Sequence, residues 1–596
     1  MRKLAVALLL SVVAAALLVV PGVAKLETAE MTTVAVIEGA FNRGDISHDE
    51  MILQKAYAVY APWKVREDLA GGQVDKCGTP IDDEIRLALP TLPEAVAEEI
   101  RDLRARPSNL TYIETTHFRI HYDTSGGGVI LGWPDTTYRD ALMTSVEYVW
   151  AEEVTNMGFR SPPPDGSDPD GGGGNDLYDV YVQNLGPSLY GYCAATYYYS
   201  GGDYPPNAAT SYVVIDNDYA GFPHTPEECA QVTIAHEFSH ACQAAHDVNE
   251  STWYKESTST WIEDIVYDGI NDYRSYLSQF LSSLYESIDY HNGSLRWYGS
   301  CVWNFFLAEN FGSGIVVDNW WLMEGSSPTL SMTNVVLGTY GSSMEEAYEE
   351  FAVWCWFTGS RNDGNHFEEG GFWYTADVMR AHSTYPIAIG GPTPGEEPDR
   401  YGCNYITFNY TGSGYDGLLV SYEGPSTLST GNAAHLNRRT SAGVYGEYGE
   451  IPLNPWGIGE LTFEGWDGMS LVGLVIANTD ASTNNMIYDY DAEEVDTGVE
   501  DESYAFGLKA ASPNPFVETT SIAYSVPSGG GLVDIAIYDV NGREVRTLVH
   551  ERLNGGAGNA VWDGFDNAGE NVASGVYFAK LDIDGLTASG KLIMLK

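Results

Sequence analysis

The sequence predicts a multidomain protein with a mainly helical N-terminal region, an α+β domain and two all-β sandwich domains. The chain has 596 residues, which is too long for a single hydrophobic core. Residues 25–112 read mainly as helix, both strands and helices are indicated from residue 113 to 388, and short alternating segments separated by Gly, Ser and Asn follow them. The predicted parts are residues 1–24, 25–112, 113–388, 389–490, 491–503 and 504–596.

Residues 1–24 have the pattern of a secretory signal peptide. Met1-Arg2-Lys3 is followed by an apolar run from Leu4 to Val20 and then by small residues up to Ala24. The run is short for a stable spanning helix, and no later segment approaches membrane length. We therefore expect a secreted or cell-surface protein with no membrane span after signal cleavage.

The overall charge argues against two classes of partner. The chain has 83 acidic and 30 basic side chains, which gives a net charge of −53. Such a surface repels nucleic acid and anionic membranes. We expect neither as a partner.

The helical N-terminal region, residues 25–112, contains amphipathic segments around Met51 to Val65 and Leu92 to Arg106. The α+β domain is expected to begin at the alternating strand Thr115 to Tyr122, and a helix from about Tyr138 to Met157 follows. Further strands are predicted from Leu177 to Val182 and from Ser211 to Asp216.

An acidic loop in this domain is a candidate calcium site. The segment from Pro162 to Asn175 is rich in Pro, Asp and Gly. Its surroundings supply carboxylates of the kind that Ca²⁺ prefers, although their spacing is not that of an EF-hand. The candidate ligands are Asp165, Asp168, Asp170, Asp176 and Asp179.

The central motif is the stretch from His236 to His240, which reads His-Glu-Phe-Ser-His. Two histidines four apart on a helix point from one face, so both imidazoles can reach one metal ion, with Glu237 beside the open coordination position. Thr225 and Pro226 predict the start of that helix, and Glu228 is placed to close a capping box. The motif predicts a Zn²⁺ site with His236 and His240 as ligands.

A catalytic zinc ion needs a third protein ligand, and two residues are candidates. His246 would complete a pattern similar to that of the metzincins, but Gln243 stands where those proteins have the glycine that turns the chain back to the metal. Glu256 lies on a second predicted helix, capped by Ser251 or Thr252. We expect Glu256 to be the third ligand.

The helix that carries Glu256 resembles the ligand helix of the gluzincins, in particular the W-x-x-E-x-x-x-T pattern of the aminopeptidase-N-like members. The resemblance implies a zincin-like metallopeptidase fold and hydrolysis of peptide bonds. It also implies that the strand Ser211 to Asp216, which precedes the motif helix, is an edge strand that pairs with an extended peptide substrate. Glu263 or Asp264 would then orient a ligand histidine. Tyr298, which opens an apolar helix ending at Phe311-Gly312, is similar to the tyrosine that donates to the oxyanion in those enzymes.

The same resemblance bears on the type of cleavage. Aminopeptidases of this group bind the free amine of their substrate through a G-x-M-E-N motif, which is absent from this chain. An endopeptidase is therefore favoured over an aminopeptidase.

A segment of the N-terminal region resembles the cysteine switch of matrix metalloprotease prodomains. The residues are Lys76-Cys77-Gly78-Thr79-Pro80. In such a switch a thiolate takes the fourth zinc position and excludes water, so residues 25–112 would be a propeptide. Alternatively, Cys77 has no regulatory role and is either free or paired with another cysteine. The other six cysteines form an even set that could pair into three disulfides.

The C-terminal third is predicted to be all β. Short alternating strands from about Cys403 to Tyr490 indicate a first sandwich, and an acidic linker follows from Asp491 to Glu502. Four later blocks resemble the Ig-like domain of flagellar hook-capping proteins and the sorting domains of the type IX secretion system. These blocks are Ser512–Phe516, Ile537–Arg543, Trp562–Gly564 and Ser574–Phe578. The resemblance implies export or surface attachment, with secretion machinery as a partner.

The sequence thus predicts a secreted zinc metallopeptidase in which Glu237 is the general base and Tyr298 an oxyanion donor. Its substrate would be a protein or peptide. The alternative is a non-catalytic cell-surface binding protein with a structural metal site and β-sandwich adhesion domains. A third hypothesis is hydrolysis of a bond other than a peptide bond, since the motif fixes the metal chemistry and leaves the substrate open.

Overall fold

The computed structural model describes residues 31–595 apart from residues 109, 188, 291–294, 325–328, 498–505, 510, 512, 528–529, 554–555 and 584. The predicted signal peptide lies outside the described residues. The chain divides into two compact units, Met1–Val495 and Asp496–Lys596. Each unit is described by itself.

The first unit is built on a mixed β-sheet with the strand order β1-β5-β6-β4-β3-β2. Its strands are β1 (Asp75–Cys77), β2 (Thr111–Glu114), β3 (Phe118–Tyr122), β4 (Tyr178–Gln183), β5 (Leu189–Tyr198) and β6 (Ala209–Asp216). β5 runs antiparallel to β6 and β2 antiparallel to β3, while the other neighbouring pairs are parallel. Three of these strands lie close to their predicted positions; β5 was not predicted.

The predicted mainly helical character of the N-terminal region is confirmed. Its helices are α1 (Thr33–Asn42), α2 (His48–Tyr60), α3 (Thr79–Ala88) and α4 (Glu94–Leu103), of which α2 and α4 overlap the two predicted amphipathic segments. The region they form is not a detached layer, because the strand β1 between α2 and α3 belongs to the central sheet.

The two faces of the sheet are covered by different parts of the chain. Along β6, Val213 and Ile215 point into one hydrophobic core, and Tyr212 and Val214 point into another, as the two-residue period of a strand requires. The first core is completed by the helices after residue 136, and the second by α1 to α4. Both faces are therefore apolar, and the N-terminal region is the cover of one of them.

The position of β6 corrects one expectation. The sequence places Ser211–Asp216 where gluzincin sheets present an edge strand. In the structure β6 is an inner strand between β5 and β4, because residues Leu189–Tyr198 form a hairpin with it. The edge on that side is formed by β5, and the short strand β1 covers part of it.

Helices dominate the unit between residues 137 and 356. They are α5 (Thr137–Trp150), α6 (Pro226–Asp247), α7 (Thr252–Val266), α8 (Leu277–Leu281), α9 (Arg296–Gly299), α10 (Cys301–Phe311), α11 (Gly314–Met323), α12 (Thr329–Thr339) and α13 (Met344–Trp356). A π-helical segment, Ala151–Met157, extends α5 to the predicted end of its helix.

A β-sandwich completes the first unit. Its strands are β7 (Arg380–His382), β8 (Ile387–Gly390), β9 (Gly402–Asn409), β10 (Gly417–Glu423), β11 (Asn432–Thr440), β12 (Tyr445–Glu450), β13 (Ile458–Glu464), β14 (Met469–Asn478) and β15 (Asp489–Val495). They form the sheets β13-β10-β15-β8 and β12-β11-β14-β9-β7, which enclose one core. The sandwich starts before the predicted boundary at residue 389 and ends inside the predicted acidic linker, where Tyr490 and Ala492 are buried.

The second unit contains the sheets β16-β17-β20 and β19-β18-β21-β22. Its strands are β16 (Gly507–Leu508), β17 (Thr520–Val526), β18 (Gly531–Asp539), β19 (Glu544–Leu553), β20 (Gly556–Trp562), β21 (Gly575–Ile583) and β22 (Leu586–Met594). Trp562 is buried between Phe516 and Tyr577, with ring centroids 5.5 Å and 5.0 Å from its own. The predicted all-β C-terminal part is confirmed.

The cysteines depart from the expectation. All seven are free and buried, so the three disulfides that the even set could form are not present. The six cysteines other than Cys77 lie on five elements, two of them in the helix Pro226–Asp247, and pack as small apolar side chains.

Among the described residues, we find no helix with the length and apolar character needed to cross a membrane.

Gly473 in β14 is predicted to be essential for packing the sandwich against α13. A Cβ at this position would lie 2.2 Å from the Trp356 ring, which is fully buried at the end of α13. We expect Gly473→Ala to lower the free energy of unfolding by about 1–3 kcal/mol, the usual cost of overpacking. Urea denaturation followed by tryptophan fluorescence measures it.

The control is Gly449→Ala in β12, where nothing lies within 4 Å of the added methyl group. Equal midpoints for the two variants would contradict the role assigned to Gly473.

Candidate metal centre

The helix that carries the central motif begins at the predicted residue. α6 starts at Pro226; the Thr225 hydroxyl accepts from the Glu228 amide, and the Glu228 carboxylate accepts from the Thr225 amide. This capping box satisfies backbone donors that the helix leaves unpaired. The three motif side chains, His236, Glu237 and His240, are no more than 2% exposed.

The next helix brings a carboxylate to both histidines. Glu256 in α7 is fully buried, with one oxygen 3.2 Å from Nε2 of His236 and the other 3.1 Å from Nε2 of His240. Ser251 stands at the predicted cap position of α7, but its hydroxyl bonds to Thr329 instead of capping the helix. The structure thus brings His236, His240 and Glu256 together.

A fourth potential ligand comes from the N-terminal region. The sulfur of Cys77, at the end of β1, lies 3.4 Å from Nε2 of His240. One ligand atom each from Cys77, His236, His240 and Glu256 lies within 4.8 Å of the other three, and all four side chains are buried.

The donor set and its spacing fit zinc. Ligands about 2.0–2.3 Å from a tetrahedral zinc ion lie about 3.3–3.7 Å from each other, and the observed separations of 3.1–3.4 Å are close to this. Two imidazoles, a carboxylate and a thiol are all ligands that zinc accepts. One oxygen of Glu237 is also buried without a hydrogen-bond partner, as a carboxylate prepared for a further ligand would be.

The charges around the cluster favour a cation at its centre. Burial lowers the pKa of His236, but the hydrogen bonds and charges of Glu256 and Glu263 outweigh burial and raise that pKa to about 10. Burial raises the pKa of Glu256, but the charge of His240 and the hydrogen bonds from both histidines lower it to about 2. Anionic oxygens thus dominate this buried space, and a divalent cation would neutralise them.

Each histidine is held by a second partner. Nδ1 of His236 lies 2.7 Å from the Glu263 carboxylate, and Nδ1 of His240 lies 2.8 Å from the Gln243 side-chain oxygen. Gln243 also donates to Ser259 and to the Lys255 carbonyl, which fixes its orientation. Such partners leave Nε2 of each ring free for a metal.

Glu237 lies beside the ligands and touches the N-terminal region. Its other oxygen accepts from the Thr79 hydroxyl at 2.9 Å and lies 3.4 Å from the Cys77 sulfur. Burial raises the pKa of Glu237 above its usual value. A carboxylate with a raised pKa is suited to accepting and returning a proton.

Tyr298, the predicted oxyanion donor, lies at the same site. It is 2% exposed, packs in an apolar cluster with Cys77 and Tyr276, and its ring centroid is 6.1 Å from that of His236.

His246, the other candidate ligand, lies away from the cluster. Its Nε2 accepts from the backbone amide of Arg160, and its Nδ1 lies 2.8 Å from the Glu324 carboxylate. α6 continues to Asp247 without the turn that a glycine at position 243 would allow, so His246 points elsewhere.

Four of the five candidate calcium ligands, all except Asp176, lie within 4.0 Å of an arginine of the same chain. The Arg106 guanidinium lies 2.6 Å from Asp165, 2.8 Å from Asp179 and 3.0 Å from Asp170. Its positive charge partly neutralises these carboxylates. Two histidines near this loop also have carboxylate partners: His117 pairs with Glu147, and His121 with Asp179.

Three residues at the site were not assigned a role from the sequence: Lys76, Thr79 and Gln243. The contact of Gln243 with His240 could have been predicted from the sequence, because a side chain three residues after His240 lies on the same helix face. The positions of Lys76 and Thr79 could not have been predicted beyond their proximity to Cys77 in the chain, since both residues reach the site only through the pairing of β1 with β5.

Comparison with known protein families matches a segment of the C-terminal unit. Residues 515–584 match the family model of the FlgD Ig-like domain. No curated protein matches the chain.

Solved structures show only weak similarity. PorZ of Porphyromonas gingivalis, a surface component of the type IX secretion system, is 17% identical over 20% of this chain and 15% of its own, with a TM-score of 0.13. Latent PorU of the same organism is 14% identical over 31% and 16%, with a TM-score of 0.16. A β-glucuronidase of Bifidobacterium dentium is 11% identical over 32% and 39%, with a TM-score of 0.13. The chain spans a small part of each, and such scores establish no shared fold.

We predict that Glu263 tunes metal binding through His236. Glu263→Gln should weaken Zn²⁺ affinity by about 10–100-fold, because the ring of His236 loses a charged partner. Titration against a zinc chelator of known affinity measures the change.

The matched control is Asp264→Asn, which changes the next carboxylate on the same helix, one that contacts neither histidine. Equal loss of affinity in the two variants would contradict an orienting role for Glu263.

Proposed function

We propose that the chain is a secreted zinc-dependent peptidase of the gluzincin type that cleaves internal peptide bonds. The observation that carries this proposal is the meeting of His236, His240 and Glu256 with Glu237 beside them. A purely structural zinc site has no need of a buried carboxylate next to its ligands, whereas hydrolysis needs a base at that position.

Each residue has a defined task in the proposed reaction. His236, His240 and Glu256 would hold Zn²⁺, which when bound lowers the pKa of water and polarises a carbonyl group. Glu237 accepts a proton from the attacking water and returns it to the leaving nitrogen. Tyr298 donates a hydrogen bond to the oxygen that becomes negative when water attacks the carbonyl carbon. Glu263 and Gln243 keep the histidine rings in place.

The C-terminal unit has a separate role in this proposal. Its match to an Ig-like domain supports export or attachment at the cell surface, with secretion machinery as a partner. A fold of this kind carries no chemistry by itself, and the proposed hydrolysis is assigned to the first unit alone.

One observation favours a second candidate function. With Cys77 the cluster has four ligands, and closed four-ligand sites are typical of structural zinc. In that case the chain would be a non-catalytic surface protein whose β-sandwich units bind envelope components. Substitution of Glu237 distinguishes the two candidate functions, because only a peptidase needs this carboxylate for cleavage.

We predict one zinc per chain and a ligand set that includes Glu256. His240→Ala and Glu256→Ala should lose the metal, whereas His246→Ala should keep it, because His246 contacts Arg160 and Glu324 instead of the cluster. Elemental analysis of the purified proteins measures the content. Zinc that survives Glu256→Ala and disappears with His246→Ala would overturn the proposed ligand set.

A second prediction separates binding from catalysis. Glu237→Gln should retain zinc but reduce peptide cleavage by roughly 10²–10⁴-fold, because the amide cannot accept the proton of water. Cleavage of a peptide library is compared in a Cys77→Ser background, since the thiol lies against the ligands. A zinc-loaded pair with equal cleavage, or with none in either protein, would contradict the peptidase proposal.

A further inference from the structure

We propose that residues Lys76–Thr79, here called the blocking segment, hold the metal site latent. In this state the Cys77 thiolate is the fourth metal ligand, and the segment occupies the sheet edge at which an extended peptide would bind. The inference rests on the proposed function, because it describes the regulation of that same site.

The sulfur of Cys77 is placed where a ligand must be. It lies 3.4 Å from Nε2 of His240 and 3.4 Å from an oxygen of Glu237, and the side chain is 2% exposed. Gly78 makes this approach possible: a Cβ there would lie 2.9 Å from Tyr192 and 3.1 Å from Val59. A residue with a side chain would push the segment away from the cluster.

Thr79 blocks the proposed base in a second way. Its hydroxyl donates to Glu237 at 2.9 Å, which is the position from which a water molecule would have to donate. Cys77 and Thr79 thus take the two places that hydrolysis needs, one at the metal and one at the carboxylate.

The blocking segment also occupies the edge of β5 that faces away from β6. The Gly78 amide donates to the Gly191 carbonyl at 2.9 Å, and the Cys193 amide donates to the Thr79 hydroxyl at 2.8 Å. Further along, the Arg104 guanidinium donates to the Ala195 carbonyl at 3.0 Å. These backbone groups are the ones that an added peptide strand would pair with, so a substrate cannot lie along this edge while the segment does.

Buried ion pairs stabilise the position of the blocking segment. The Lys76 ammonium is 1% exposed, lies 2.9 Å from Glu263 and also pairs with Asp272. Just beyond the segment, Asp83 of α3 pairs with Lys255 of α7. Glu263 also holds His236, so a single carboxylate links the position of the segment to the orientation of a metal ligand.

We assign the inhibition of the metal site to the blocking segment and not to the whole N-terminal region. Helices α1 to α4 cover one apolar face of the central sheet, and their loss would expose Tyr181, Tyr212 and Val214 to water. Opening therefore means displacement of the segment. When the thiol binds the metal it releases its proton to solvent; on opening, water takes the coordination position and the thiol regains a proton.

The test replaces zinc by cobalt in the full chain from residue 25. Apoprotein prepared with a chelator is loaded with Co²⁺, whose thiolate complexes absorb in the near ultraviolet by charge transfer. We compare the parent, Cys77→Ser and Cys77→Ala. The control is Cys193→Ser, which removes another buried cysteine close to the site but outside the ligand cluster. Circular dichroism confirms that each variant is folded.

The expected result is a charge-transfer band in the parent and in Cys193→Ser that is absent from both Cys77 variants. Cobalt bound without this band in the parent would overturn the inference and leave the proposed metal site standing. No cobalt bound by any protein would reject both proposals.

Peptide cleavage by the zinc proteins provides the second readout. We expect Cys77→Ser to cleave at least tenfold faster than the parent at equal zinc content. Equal cleavage above the level of Glu237→Gln would overturn latency, because the site would then work with the thiol in place. A band that depends on Cys77 together with no cleavage by either protein would reject both latency and the peptidase function and identify a structural metal site.

Discussion

The constraint on which the first unit depends is the burial of many ionisable groups around the middle of helix α6. Two imidazoles, the carboxylates of Glu237, Glu256 and Glu263, and the ammonium of Lys76 are all nearly inaccessible to water. Removing such groups from water costs several kcal/mol per ion unless each finds a partner of opposite charge. The pairings of the two histidines with Glu256 and of Lys76 with Glu263 meet that requirement, and they explain why α6, α7 and the segment around Cys77 must meet at one place.

The central sheet explains how residues so distant in sequence converge. Its strands are apolar on both faces, so each face needs a cover of helices. Residues before 104 supply one cover and residues after 136 the other, and β1 passes from the first group into the edge of the sheet next to the motif helix. A region that looks separable by composition is therefore part of the same core. The consequence for regulation is that a short segment, and not a detachable domain, is suited to control access.

The architecture of the C-terminal unit, in contrast, can be assigned from its sequence. Its residues match a known Ig-like family over 70 positions, and its two sheets enclose a small core around Trp562. The first unit contains the groups that can perform the proposed chemistry. The family match informs the architecture of the C-terminal unit, whereas the proposed reaction is argued from the geometry of individual side chains.

The sequence by itself determined what depends on local spacing. The start of α6 at Pro226, the shared face of His236 and His240, and the alternation that builds the C-terminal sandwiches follow from rules that act over a few residues. The placement of Glu256, and not His246, next to the two histidines was also readable, because it depended on whether the helix turned at position 243. Only the tertiary structure decided that β6 is an inner strand, that Arg106 lies among the acidic loop, and that Cys77 reaches the histidines. The physical reason is that these contacts join groups as far apart as the 160 residues between Cys77 and Glu237, and long-range pairing of strands leaves no periodic signal in the chain.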